Sequence, residues 1–279
     1  MANPVIFNPL TDTNDQLRAK FWDTYAKDFT SIRDALSSYS YFKGELRLCR
    51  NYLTPKNRQG KLLKLDLWNE VHHTPLIESI WKNYEAVYAV DIAPSLVTRA
   101  AKILQAKKIP VKTKIGDIRK LPYASNYFDY VYTMGTIEHI PRPIDAMREI
   151  FRVLKPGGRA VIGVPNKYEW FGKSIILDIL ADTGFKEDGR ELSFGWRQLR
   201  SELQTCGFII VAETGTYFMP WFIRLIDWYL YQKSTHLKYV MVLPIWMSDL
   251  ISEVAFFRKH GSLLAAVVEK PYGKKTGKN

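Results

Sequence analysis

From residue 61 the chain is written in short apolar runs bounded by polar turns, at 62–67, 86–90, 111–115, 128–134 and 159–164, with stretches of helical apolar spacing between them. Runs of that length read as buried strands, and their alternation with helices predicts a parallel sheet built from right-handed crossover units. Pro94 near the first turn of a helix, with Leu96, Val97, Ala100, Ala101, Ile103 and Leu104 behind it, marks one crossover. Residues 146–154 give another, with Met147, Ile150, Phe151 and Leu154 on one side and Lys155-Pro156-Gly157-Gly158 as its stop. A helix over 196–205 ends at Cys206-Gly207 and feeds a strand over 208–213, and 262–269 reads as a last strand. Between those two strands, 217–260 is too long for a hairpin loop and forms an insertion. Upstream, 15–41 carries Leu17, Phe21, Tyr25, Phe29, Ile32 and Leu36 at helical spacing. The stretch 40–60 sets Lys43, Arg47, Arg50, Lys56 and Arg58 against Glu45 alone. The division expected is a helical cap over 1–60, an α/β core over 61–216 and 261–271, the insertion over 217–260 and a basic tail over 272–279.

Composition narrows the partners rather than the fold. The 279 residues hold 40 Lys+Arg against 28 Asp+Glu, a formal charge of +12 that favours anionic partners. With 47% hydrophobic and 14% aromatic residues the chain has ample material for a packed core, which excludes wholesale disorder. The opening residues lack a basic n-region followed by an apolar h-region, and apolar stretches such as 239–247 are shorter than a bilayer span. Cys49 and Cys206 make no disulfide framework and no paired ligand spacing, so no metal is expected and a reducing, cytoplasmic setting is the default.

Ligands of an open parallel sheet sit beyond the carboxyl ends of its strands, near the point where strand order reverses. Those ends hold residues 66–70, Asp91, Asp117 and residues 134–139. Acids gather there and bases do not, the reverse of a phosphate site; neither G-x-G-x-x-G nor G-x-x-x-x-G-K-[ST] occurs. A cationic or neutral nucleoside fits better. Asp91 is placed to accept from two vicinal ribose hydroxyls, with a helix N-cap as its plain alternative. Asp117 is placed to accept from an exocyclic adenine amine, with an Asx turn after Gly116 as its alternative.

These residues resemble the class I S-adenosylmethionine-dependent methyltransferases, in the type 11 branch. The resemblance is carried by Ala89-Val90-Asp91-Ile92, by 116–123, by 128–140 with Glu138-His139-Ile140, by Leu154-Lys155-Pro156-Gly157-Gly158 and by Gly207-Phe208, in family order from about residue 61 to 271. It implies a Rossmann-like sheet of seven strands with helices on both faces and a final antiparallel strand near 261–270. It implies too that Asp66, Leu67, Asn69, Glu70, Asp91, Ile92, Asp117, Ile118, Met134 and Gly135 surround S-adenosylmethionine. One departure stands out. Where the family carries D-x-G-x-G-x-G, this chain reads Asp66-Leu67-Trp68-Asn69-Glu70-Val71-His72-His73. Glycines there let a backbone approach its ligand, and Trp and Asn do not replace them sterically. Either the side chains of Asp66, Asn69 and Glu70 hold the cofactor's ammonium, with Glu70 the first choice, or donor binding has been lost; the retention of Asp91 and Asp117 favours the former.

Methyl transfer is an in-line displacement, so alignment, water exclusion and, for a hydroxyl acceptor, proton removal are the protein's tasks. His139, after the fourth strand, is the candidate base, with His72 and His73 as loop alternatives. Aromatic residues crowd 217–260, among them Trp221, Trp228, Tyr239 and Trp246, interleaved with Arg224, Lys233, Lys238, Arg258 and Lys259. An apolar or lipid-like small-molecule acceptor is the expectation, O- or C-methylated, with a peripheral membrane-surface contact as a further partner. Two alternatives compete. A nucleic-acid methyltransferase is disfavoured because Met134-Gly135-Thr136-Ile137 stands where [DN]-P-P-[YFW] would be, and a non-catalytic module remains if the altered turn abolished donor binding.

Overall fold

The computed structural model describes residues 14–55, 57, 59–182, 191–234 and 236–272. Seven strands form one sheet in the order β3-β2-β1-β4-β5-β7-β6. They are β1 (Lys61–Leu65), β2 (Ala86–Asp91), β3 (Val111–Ile115), β4 (Phe128–Met134), β5 (Leu154–Pro165), β6 (Ile209–Thr216) and β7 (Leu263–Glu269). β1 to β5 pair in parallel, while β7 runs antiparallel to both β5 and β6. Strand order reverses beside β1, which pairs with β2 on one edge and β4 on the other. The Rossmann-like expectation of seven strands with an antiparallel last strand is met.

Side-chain alternation splits the core into two layers. Leu62, Val87, Ala89, Tyr132, Val161 and Val267 face one side of the sheet; Leu63, Leu65, Tyr88, Val90, Val131 and Ile162 face the other. On the first side lie α1 (Asp15–Asp28), α2 (Leu36–Leu48), α3 (Trp68–His72), α4 (Leu76–Ile80) and α5 (Pro94–Ala106). On the second lie α6 (Pro143–Val153) and α8 (Trp196–Thr205). A short helix, α7 (Lys173–Asp182), follows β5.

Two local expectations need correction. The helical pattern over 15–41 is interrupted between α1 and α2, because residues 29–35 are claimed by the loop after β1. Ile32 N–H donates to the His72 carbonyl at 3.0 Å, and Arg33 reaches the carbonyls of His73 at 3.0 Å and Glu70 at 2.7 Å, satisfying the end of α3. The Lys155-Pro156-Gly157-Gly158 segment stops α6 as expected but already belongs to β5, which enters through Gly157 at φ +78° and so starts five residues before Arg159. The basic tail beyond Tyr272 lies outside the described residues, as do the first 13 residues of the cap.

The insertion forms α9 (Trp221–Lys233), a 3-10 turn over Leu237–Met241, α10 (Val242–Ser252) and α11 (Ala255–Lys259). It packs on α2 rather than standing apart. Tyr217, Met219, Met241 and Ile245 make a small core with Leu36 and Tyr41, Ser37 N–H donates to Asp227 at 2.8 Å, Arg47 pairs with Glu253 at 2.8 Å, and Lys43 pairs with Asp249. Its return to the sheet depends on Gly215, where a Cβ would run into the backbone carbonyl oxygens of Arg258 and Leu263. Backbone atoms give way less readily than side-chain tips, so Gly215→Ala is expected to destabilise the protein by about 1–3 kcal/mol. A urea midpoint equal to wild type would show that this close approach is not required.

Candidate active site

A cavity of about 500 Å³ opens beyond the carboxyl ends of β1, β2 and β4, where strand order reverses. Asp66, Asn69, Asp91, Ile92, Asp117, Ile118, Met134, Gly135 and His139 line it. Nine of the eleven expected site residues are thus brought together. Leu67 and Glu70 are not. Leu67 is fully buried and contributes only its backbone N–H, which donates to Asp91 Oδ2 at 2.7 Å. Glu70 is turned inward, its Oε1 accepting from Ile77 N–H at 3.1 Å, so it caps α4 instead of facing a ligand.

The glycine-poor turn takes a left-handed step at Asp66, φ +77°, a conformation glycine would supply without cost and Asp tolerates better than most residues. The step is held by three contacts. Asp66 N–H donates to the Val90 carbonyl at 2.9 Å, Thr136 Oγ1 donates to Asp66 Oδ2 at 3.0 Å, and Lys64 Nζ donates to Asp66 Oδ1 at 3.2 Å and to its carbonyl at 3.0 Å. Lys64 is 1% exposed. Burial opposes its charge, but Asp66, Glu70 and Glu45 outweigh burial and hold its pKa above the ordinary lysine value. Beside it, Glu45 accepts from Asn69 Nδ2 at 3.0 Å and from Tyr132 Oη at 2.9 Å. Burial pushes Glu45 up to about 8 and Glu70 up to about 7.

Asp91 accepts from Leu67 N–H at 2.7 Å through one oxygen and from Ala93 N–H at 2.8 Å through the other. Each oxygen keeps a second lone-pair site, so the helix-capping role and acceptance from a ligand on the cavity side are compatible. Burial raises its pKa to about 6 despite these two donors. Asp117 is drawn into a bidentate pair with Arg119, Nε lying 3.0 and 3.1 Å from its two oxygens. Burial works against its charge, but Arg119 wins and the carboxyl is held below the usual range.

The other walls come from beyond the Rossmann core. Arg18, Trp22, Tyr25 and Phe29 recur along one face of α1 and its C-cap, and all four line the cavity. Tyr25 stacks on Trp68 at 5.5 Å, and Trp22 meets the His139 ring edge-on at 4.9 Å. Asp23 ties α1 down by accepting from Ser95 N–H at 2.6 Å. From the insertion, Trp221, Arg224, Leu225 and Trp228 face inward, with the Arg224 guanidinium 4.1 Å from the centre of the Trp228 ring. Glu138, Tyr41, His73 and Lys173 also line the cavity. Glu138 is 2% exposed and its Oε2 has no hydrogen bond; burial first, then the charge of Glu191, raises its pKa well above the carboxylate range. Burial pushes His73 down to about 3, while His72 packs between Phe29 and Trp68 and does not line the cavity.

Arg18, Tyr41, Glu138 and Lys173 were not among the expected site residues. The periodicity of Arg18 with Trp22 and Tyr25 was a usable signal for the first; nothing local distinguishes the others. Among the described residues no group of three or more His, Cys, Asp or Glu is arranged to hold a metal ion.

Residues 73–162 match the methyltransferase domain family of the type 11 branch. The sterol 24-C-methyltransferase erg6 of Schizosaccharomyces pombe is 46% identical over 67 residues, 24% of this chain and 16% of that protein. The stretches matched in the first curated relatives span only 16% to 40% of their lengths. Among solved structures, a SAM-dependent methyltransferase of Thermotoga maritima superposes with a TM-score of 0.57 at 16% identity, over 91% of this chain and 98% of that one. The [4+2]-cyclase SpnF does so at 0.56 and 18% identity, over 93% and 94%. At such identities the likeness concerns the fold. The chain therefore shares the class I methyltransferase fold, and residues 73–162 match a methyltransferase domain, a family that implies S-adenosylmethionine as cofactor.

The buried charges under the site make a pH prediction. Glu45 and Glu70 have folded pKa values above their ordinary 4.5, so their contribution to stability is complete below about 4.5 and is lost as pH rises through 7 to 8. Glu45→Gln is expected to flatten the fall in unfolding free energy across that window, and Lys64→Met to cost about 3–5 kcal/mol at neutral pH by leaving Asp66 without its cation. Parallel stability–pH curves for wild type and Glu45→Gln in chemical denaturation would refute the assignment.

Proposed function

We propose that the protein is an S-adenosylmethionine-dependent methyltransferase whose acceptor is an apolar, lipid-like small molecule, methylated on oxygen or carbon. The observation that carries this reading is the row of carboxylates at the ends of β1, β2 and β3, with Asp66, Asp91 and Asp117 all lining one cavity into which α1 and α9 also bring Trp22, Tyr25, Trp221 and Trp228. A nucleoside with a cationic tail and an apolar neighbour matches that division. The erg6 relative, named for action on a sterol, supports an apolar acceptor.

When bound, S-adenosylmethionine supplies an electrophilic methyl group on its sulfonium. Asp66, fixed by Lys64 and Thr136, offers its carboxylate to the ammonium in place of the missing glycine backbone. Asp91 accepts from the ribose hydroxyls with its spare lone pairs. Ile92 and Ile118 flank the base, and Asp117, already paired with Arg119, keeps only part of its accepting capacity for an adenine amine. Trp22 and Tyr25 from one side and Trp221 and Trp228 from the other exclude water from the acceptor. For a hydroxyl acceptor, His139 takes the proton; its ring is oriented by Trp22. For a carbon acceptor, positioning dominates.

Calorimetry with S-adenosylhomocysteine tests the donor half. Asp91→Ala is expected to weaken binding by about 1.5–3 kcal/mol, because it removes a charged acceptor for two hydroxyls. In wild type the carboxylate form binds, so affinity is full above pH 6 and falls by up to about tenfold per pH unit as pH drops below the Asp91 pKa of about 6. A dissociation constant indifferent to both changes removes Asp91 from the site.

Trp228→Ala tests the acceptor half. It is expected to lower turnover or acceptor affinity by roughly tenfold or more while donor affinity stays within about twofold, since the donor contacts come from the strand ends. Loss of donor binding to the same degree would make Trp228 part of the packing and withdraw the acceptor assignment.

A further inference from the structure

The insertion is apolar on its outer side as well as its inner one. Along α10 the residues turned toward the protein include Ser248 and Ser252, with Asp249 bound to Lys43, while Leu243, Trp246, Met247 and Leu250 are each more than half exposed. α9 repeats the pattern, with Asp227 fully buried and Phe222, Leu225, Ile226 and Tyr229 outward at helical spacing. A helix on the surface of a water-soluble protein turns polar residues outward, and an apolar outer face of this extent marks a surface with a partner. Of the 25 large apolar side chains that are exposed among the described residues, fifteen lie between Phe222 and Phe256.

We infer that this face of α9 and α10 docks on the surface of an anionic lipid bilayer. Three observations choose a bilayer over a protein partner. Charge on the insertion leans basic: Arg224, Lys233, Lys238, Arg258 and Lys259 stand against Asp227, Asp249 and Glu253, of which Asp227 is buried and the other two are paired to α2, while Lys233 and Lys259 are exposed, on a chain of net charge +12. Two of these lysines lie over tyrosine rings, Lys233 at 5.5 Å from the centre of Tyr229 and Lys238 at 5.8 Å from Tyr239, an apolar body under a cationic head that suits the headgroup layer. α9 also joins the two environments, because Trp221 and Trp228 line the cavity on its inner side and Leu225, half-exposed, belongs to both the cavity wall and the outer face. At about 1.5 Å per residue, the 13 residues of α9 and 11 of α10 fall well short of a hydrocarbon thickness of about 30 Å. No helix of the described residues is long and apolar enough to cross a membrane, so the pair lies along the interface. This inference deepens the lipid-like acceptor reading by giving such an acceptor a path from bilayer to cavity, but lipid binding requires neither donor nor turnover.

Co-sedimentation of the full-length protein with vesicles of phosphatidylcholine plus phosphatidylglycerol, against phosphatidylcholine alone, tests it. Wild type is expected to pellet with the anionic vesicles and to release as salt is raised, and Leu243→Glu with Leu250→Glu to lower its partition coefficient at least roughly tenfold. Both substitutions are at exposed positions outside the cavity, and an unchanged affinity for S-adenosylhomocysteine checks the fold. Lys233→Glu with Lys259→Glu is expected to abolish the preference for anionic vesicles while leaving thermal unfolding unaltered. Retention of wild type in the supernatant with both vesicle types overturns the inference, as does vesicle binding by the double Glu variant equal to wild type. A stable dimer that the Leu243 and Leu250 substitutions split, with no vesicle binding, would assign the face to a second copy instead.

Discussion

The buried ammonium of Lys64 is the constraint around which the centre of the molecule is arranged. Strand alternation points position 64 into the layer between the sheet and α2, where a lone cation would be prohibitively unstable. Its neutralisation requires acids from elsewhere. Asp66 comes from the end of the same strand, Glu70 from α3 and Glu45 from α2, and Glu45 in turn recruits Asn69 and the Tyr132 hydroxyl of β4. One cluster therefore ties the N-terminal helices, the turn after β1 and the sheet to one another. The cap is not an appendage to the Rossmann core, since removing α2 would strip Asn69 and the Tyr132 hydroxyl of their hydrogen-bond partner.

The same cluster accounts for a turn that does without glycine. A glycine-rich loop presents bare backbone; here the backbone step at Asp66 is locked by Lys64 and Thr136, and the Asp66 carboxylate lies at the cavity wall. Rigidity comes from ionic and hydrogen-bonded partners rather than from close packing of main chain. The arrangement carries a cost in pH sensitivity, because three carboxyls in one dry region cannot all stay ionised, and burial leaves Glu45 and Glu70 to absorb the protons.

On the far side of the cavity the balance is reversed. The walls from α1 and α9 are rich in rings that pack on one another and on their neighbours, with Tyr25 on Trp68, Trp22 on His139 and Arg224 over Trp228. The carboxylates and the rings of the cavity are thus assembled from different parts of the chain. The Rossmann strands supply the acids, and the two segments outside that repeat supply the rings. α9 belongs to the cavity on one face and to the surroundings on the other, so the insertion is the element that joins the cavity wall to the outer surface.

The order of elements, the seven strands and the acids at strand ends were all legible in the sequence, because strand alternation, helix periodicity and the turn residues that stop them are local properties. So was the gathering of Asp66, Asp91, Asp117, Met134 and His139 at one edge, since in a parallel sheet every strand end points to the same side. What the sequence did not determine was direction within a turn. Glu70 and Asn69 are neighbours in the same turn, and only the packing of α3 against α4 and α5 turned Glu70 inward to cap a helix while Asn69 kept a place at the cavity. The break between α1 and α2 was likewise decided at a distance, by Arg33 and the carbonyls of α3. Glu138, Tyr41 and Lys173 became site residues through the same kind of event, a burial set by elements far apart in the chain. Spacing along a sequence specifies which end of the sheet a residue occupies; which way its side chain points depends on the desolvation and pairing of its neighbours, and those exist only once the tertiary structure has formed.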